Sequence, residues 1–221
     1  MNLRNSPFAT ACAAIAAALL LTSCGGEGKD AAKPSGAIDG ADADTAAKKP
    51  SAPGTPAPGS AARPPVNLPA DVKNVFEGQK SGDPTKDAVL ADNAERINAV
   101  DDAIVRGTAD AKGLGFYNDG DALGTSVTFV QGYVDKKLTW TGTTRYFDRQ
   151  VTSLKGGTAT VAYCSDESRS FLKNRMTGKL DRTPTSADSY VFYNTQSKKN
   201  AQGVWQTTRV ISQRGAAKCQ P

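Results

Sequence analysis

The sequence contains no histidine, and the side chains singled out for acid–base chemistry are carboxylates and phenols. That absence excludes Ser-His-Asp and Cys-His catalysis, histidine-ligated zinc or haem, and proton transfer by imidazole. Asp148, Tyr146 and Tyr163 remain as candidates. A carboxylate inside an apolar pocket has its pKa raised and can act as a general base. No spacing singles these three out, and Asp148 beside Arg149 reads equally as surface charge. A second set, Trp140, Tyr146, Tyr190, Phe192 and Trp205 with Arg209, has the composition of an apolar ligand pocket with one polar contact. The competing reading is that these aromatics are sheet core. Asp119-Gly120-Asp121 opens like a calcium loop, but no acidic residue stands at the twelfth position, so it reads as a turn. No metal ligand set is apparent and no cofactor is expected.

The remaining chemistry is that of sulfur. Leu21-Thr22-Ser23-Cys24 follows an uncharged, apolar stretch over residues 8–21, with Arg4 ahead of it. This resembles a bacterial lipobox, in which the cysteine receives a diacylglycerol and becomes the first mature residue. The apolar stretch is too short to span a bilayer and fits the core of a signal peptide. Two acyl chains on Cys24 would anchor the chain stably, where one would bind only marginally. Cys12 would leave with the signal peptide. Cys164 and Cys219 then remain as an even pair in an oxidising compartment, which reads as a disulfide closing a long loop. The alternative is two buried thiols.

Residues 25–69 are dominated by Ala, Gly, Pro, Ser, Asp and Lys, with balanced charge and no aromatic. Such a stretch cannot bury enough apolar surface to offset chain ordering, so it is expected to be a disordered tether. The organisation expected is therefore a signal peptide over 1–23, a lipidated linker over 24–69 and one folded domain over 70–221. The formal net charge of the chain is +5. This is mild, and unlike the clustered basic stripe of a nucleic-acid binder.

Within the domain, residues 84–106 form the clearest helix. Asp83 stands at the N-cap, Pro84 at the first position and Gly107 at the end, with Leu90, Ala94, Ile97, Asp101 and Ile104 at helical spacing. Val72, Val75 and Phe76 predict a shorter helix over 71–79. Residues 108–124 read as turn, and 122–135 as a third helix carrying Leu123, Val127, Val130 and Val134. Alternation then predicts strands over 138–154, 158–165, 189–196 and 204–214, with a hairpin at Lys155-Gly156-Gly157. A hydrophilic excursion over 166–188 holds Arg169, Lys173, Arg175, Lys179 and Arg182, and is a candidate surface for a partner. Helices followed by about four antiparallel strands predict an α+β fold, with helices packed on one face of a curved, cone-like sheet.

This order, with Trp140-Thr141-Gly142-Thr143-Thr144-Arg145-Tyr146, Gly157–Cys164, Tyr190–Thr195 and Gly203–Thr207, resembles the SnoaL-like branch of the nuclear transport factor 2-like superfamily. More narrowly, it is similar to secreted actinobacterial lipoproteins that carry such a domain. The resemblance covers about residues 70–221. It implies a cone with a pocket between sheet and helices, and a superfamily that holds both enzymes and binding modules. The expectation drawn is a non-catalytic binding or protein-interaction module on the extracytoplasmic face of the membrane. It would be held there by Cys24, with an envelope protein or a cell-wall polymer as partner and no nucleic acid. The alternative is an isomerase- or cyclase-type enzyme using Asp and Tyr in the cone.

Overall fold

Helix α1, Pro84–Arg106, organises the fold. Its start is fixed by Asp83, whose side chain accepts from the backbone N–H of Thr85 at 2.8 Å and of Lys86 at 3.2 Å. Gly107 ends it in the left-handed conformation, φ 73°, and returns its N–H to Ala103 and Ile104; a residue with a Cβ is strained there. A computed structural model describes residues 62–221. Cys24, the signal segment and most of the tether lie outside the described residues.

Three helices, α1, α2 (Lys112–Tyr117) and α3 (Gly120–Asp135), pack on a curved sheet. The sheet runs β1 (Val72–Phe76), β2 (Leu138–Lys155), β3 (Thr158–Asn174), β5 (Tyr190–Lys199), β6 (Trp205–Arg214), and the two-residue β4 (Leu180–Asp181) pairs with β3 off this path. The α+β class with helices on one face of a curved sheet is as expected, but the sheet has six strands where four were expected. All pairings are antiparallel except β1 with β2. Three register shifts interrupt β2 against β3, between Thr143 and Arg145, Phe147 and Gln150, and Val151 and Ser153. Such bulges bend a strand and increase its twist, which is how an 18-residue strand wraps around α1.

Three local expectations are corrected. Residues 71–79 hold a strand, not a helix. Val72, Val75 and Phe76 fit either period over so short a run, and five ladder positions along β2 decide for strand. Residues 108–124 are not all turn. They contain α2, and Asp119 caps α3 by accepting from the Gly120 N–H at 2.8 Å, so Gly120 and Asp121 open that helix. The hydrophilic excursion is strand in its first part, since β3 continues to Asn174, and the two-residue β4 follows. Arg175 is spent internally, donating to the carbonyls of Val105 at 2.7 Å, Ile104 and Leu138 at 3.3 Å.

The core forms two main clusters along α1. Val72, Val100, Ala103, Ile104, Leu114, Val130 and Trp140 make one; Val89, Leu90, Ile97, Ala159, Val161, Tyr163 and Trp205 make the other. On the sheet face away from the helices, Cys164 and Cys219 form a disulfide packed by Phe147, Tyr190 and Phe192. Residues 63–68 run against the domain. Arg63 pairs with the buried Asp92 and Val66 packs in a cluster with Ala99, Tyr117 and Val204.

Candidate functional site

Ile97, Val100 and Ile104 belong to the two core clusters and also line a cavity of about 600 Å³ between α1, α3 and the sheet. Helix α1 contributes Arg96 and Asp101 as well, α3 contributes Ser126, Phe129 and Tyr133, and β2 contributes Trp140, Thr144 and Tyr146. Strands β3, β5 and β6 add Tyr163 and Glu167, Val191 and Tyr193, and Val210, Ser212 and Arg214. Phe129 is 52 % exposed and Leu172 36 %. Both also line the cavity, so its mouth carries apolar side chains beside the exposed polar ones of Thr183, Ser186, Asp188 and Arg214.

Asp101 is the chemically distinctive group. It sits in the apolar stripe of α1, where it is held from two strands: Trp140 Nε1 donates to it at 3.2 Å and Asn74 Nδ2 at 2.7 Å. Burial pushes its carboxyl up to about 7, against the two hydrogen bonds and the nearby Arg96, which favour the charged form. The acid is thus poised between its two protonation states near neutral pH, as a general base requires.

Around it stand phenols. Tyr163 stacks on Tyr193 with ring centroids 4.9 Å apart, and meets Tyr146 edge-on at 6.1 Å. Burial raises the pKa of Tyr146, Tyr163, Tyr193 and Tyr133, with the Asp101 charge adding to the rise at Tyr146 and Tyr133. All four therefore stay protonated at neutral pH and are available as donors. Glu167 accepts from Ser165 Oγ at 3.2 Å and Arg214 Nη1 at 2.8 Å, so its charge is compensated. Among the described residues no three His, Cys, Asp or Glu side chains converge as metal ligands do.

The residues singled out from the sequence divide. Trp140, Tyr146 and Tyr163 line the cavity. Tyr190 and Phe192 do not. In β5 it is Val191 and Tyr193 that face the cavity, while Tyr190 and Phe192 pack on the disulfide from the opposite face. With a side-chain period of two, choosing the wrong face displaces the whole set. Trp205 is buried beside Leu90 and Ile97 in the core, away from the cavity. Arg209 is exposed on β6. Asp148 is exposed at the second bulge of β2 with φ 50°, outside the cavity. Its neighbour Arg149 turns inward, donating to Gln79 at 2.7 Å and to the Leu90 carbonyl at 2.6 Å. The groups missed were Asp101, Arg96, Glu167, Tyr133 and Tyr193.

No protein-family model and no curated protein matches the chain. Among solved structures, the chain resembles a ketosteroid isomerase-like protein from Erwinia carotovora atroseptica, with a TM-score of 0.39 and 16 % identity over 60 % of this chain and 97 % of that one. It also resembles a protein assigned as a ketosteroid isomerase from Shewanella frigidimarina, with a TM-score of 0.27 and 16 % identity over 63 % of this chain and 100 % of that one. The expectation of a non-catalytic binding or interaction module is corrected on the site's own geometry: the cavity carries a poised carboxylate among phenols, which favours the alternative of an enzyme using Asp and Tyr in the cone.

Proposed function

We propose that the cone is the active site of an isomerase- or cyclase-type enzyme that moves a proton at a carbon next to a carbonyl, with Asp101 as the general base. The observation that carries this is Asp101 itself, held by Trp140 and Asn74 within a cavity large enough for a small organic substrate. In the step proposed, the Asp101 carboxylate takes the proton α to the carbonyl and the C–H electron pair moves onto the carbonyl oxygen. A neutral phenol, with Tyr146 the first candidate, donates to that oxygen as charge develops. Asp101 then returns the proton at a different carbon, which completes an isomerisation. In the cyclase variant the enolate carbon attacks a second carbonyl, and the proton goes to the new alkoxide. No oxidant or reductant is consumed.

The test is turnover of a β,γ-unsaturated ketone to its conjugated isomer, followed by ultraviolet absorbance, with deuterium wash-in from solvent read by NMR. Asp101→Asn is expected to cut the rate by about 10²–10⁴-fold. Equal rates in the two proteins, or no turnover in either, would defeat the assignment.

The proposal extends to location. A SnoaL-like domain on a tether, anchored through diacylglycerol on Cys24 at the extracytoplasmic face of the membrane, suits an enzyme acting on substrates with an apolar part near a lipid surface. The support is the sequence Leu21-Thr22-Ser23-Cys24 behind its apolar stretch. Cys24→Ala should leave the protein unlabelled by fatty acid and free of the membrane fraction; labelling that persists removes the anchor.

A further inference from the structure

Arg96 stands in the cavity wall with no carboxylate paired to it among the described residues. Its Nε donates to Asn118 Oδ1 at 2.9 Å and its Nη2 to Ser126 Oγ at 3.1 Å. Both acceptors are neutral and buried, Asn118 at 1 % exposure and Ser126 at 3 %. Asn118 is itself fixed by donating to the Leu114 carbonyl at 2.9 Å. The guanidinium is therefore clamped from one side. It also acts on the phenol of Tyr163 as a hydrogen-bond donor, its remaining N–H groups have no acceptor among the described residues, and its side chain lines the cavity. The other cavity arginine, Arg214, is already committed to Glu167 at 2.8 Å and to the Asp188 carbonyl at 2.6 Å.

An arginine oriented by neutral partners, with N–H groups left to face the cavity, can receive a planar anion. We propose that Arg96 binds a carboxylate on the substrate whose acidic C–H lies against Asp101. This rests on the assignment of Asp101 as base and adds the substrate class, an enolisable oxo-carboxylic acid. The helix sets the ruler. Arg96 and Asp101 are five residues apart on α1, about 7.5 Å along its axis. Ile97 and Val100 lie between them in the cavity wall, so the part of the substrate joining carboxylate to reacting carbon is apolar. Tyr163 faces the same end. Arg96 and Asn93 both act on its phenol, partly offsetting the effect of burial.

The experiment is a binding comparison by isothermal titration calorimetry on the full chain, using 2-naphthoate as the carboxylate probe and 2-naphthamide as its neutral isostere. Wild type is expected to bind the carboxylate about tenfold more tightly or better, the increment of a charged hydrogen-bonded pair. Arg96→Gln should abolish that preference by weakening naphthoate while leaving naphthamide within about twofold. Arg96→Lys, which keeps the charge, should retain part of it, and Arg209→Gln, at an exposed position outside the cavity, should leave it intact. The wild-type preference tests the idea even if a variant folds poorly. Equal binding of the two probes, no binding of the carboxylate, or a preference that survives Arg96→Gln overturns the anion site. Asp101→Asn separates this from the catalytic assignment. It should stop proton transfer yet keep the carboxylate preference, so either claim can fail while the other stands.

Discussion

The indole N–H of Trp140 donates to the Asp101 carboxylate at 3.2 Å, tying the start of β2 to the C-terminal part of α1. The bond favours the charged acid, and burial favours the neutral one. Their balance, shared with Asn74 and Arg96 and opposed by Glu167, leaves the carboxyl at about 7. The wall of the cavity thus sets the protonation of the group that would do the chemistry.

Trp140→Phe removes that donor and replaces the buried indole by a smaller aromatic ring. The charged form loses a partner, so the pKa of Asp101 should rise further, by about half to one unit. The rising limb of kcat/KM against pH should shift to higher pH by the same amount. A limb that stays in place would show that Trp140 packs against the acid without tuning it.

The same acid should make stability depend on pH. In the unfolded chain Asp101 has the ordinary value of 3.8, and in the folded protein about 7. Between these values the folded state holds the proton more tightly, so stability falls as pH rises from about 4 and levels off above about 7. Asp101→Asn removes this loss. It should therefore stabilise the protein by about 2–4 kcal/mol at pH 8 relative to wild type, and by much less at pH 5. Urea unfolding at both values checks this; a variant no more stable at pH 8 than at pH 5, each relative to wild type, would contradict the buried setting.

Much of the frame was legible because it depends on local signals. Asp83, Pro84 and Gly107 bound α1 at the positions their chemistry dictates, and Lys155-Gly156-Gly157 turns β2 into β3. The site was partly legible too, and its strongest signal was passed over. Asp101 recurs in register with Ile97 and Ile104, so a carboxylate stood in the apolar stripe of the best-defined helix. A charged residue at a core position either is paired or opens onto a cavity. Tyr193 was not legible, because alternation in β5 is compatible with either face, and only packing against α1 selects Val191 and Tyr193 over Tyr190 and Phe192. Nor was β1, whose pairing partner lies some seventy residues along the chain.

The disulfide should matter for stability and not for the site. Cys164 and Cys219 are 55 residues apart and lie on the sheet face opposite the cavity, 4 % and 1 % exposed. On the chain-entropy account, opening a loop of this length costs about 4 kcal/mol. The double variant Cys164→Ser with Cys219→Ser should unfold at correspondingly lower denaturant while binding 2-naphthoate with unchanged affinity. Parallel loss of affinity in the folded variant would mean that the bridge shapes the cavity through β3.

Gly142 is the position where backbone geometry leaves no choice. It lies in β2 between the cavity residues Trp140 and Thr144, pairs with Val72 of β1 on one side and Ser170 of β3 on the other, and has φ 108°. Its N–H donates to the Asp71 carbonyl at 2.7 Å. A Cβ there would run into the Arg169 carbonyl oxygen, and backbone cannot step aside as a flexible side chain can. Gly142→Ala should therefore destabilise by more than about 3 kcal/mol, combining a clash with left-handed strain. Two other glycines calibrate the measurement. Gly156, φ 58°, has open space around its Cβ and should show strain alone, about 1 kcal/mol. Gly124, exposed in α3 with ordinary φ and nothing within 4 Å, should gain about 0.5–1 kcal/mol as alanine. Thermal unfolding of the three variants should order them Gly124→Ala, wild type, Gly156→Ala, Gly142→Ala, from most to least stable. If Gly142→Ala fell beside Gly156→Ala, β2 would have room to move at the point where it begins to wall the cavity.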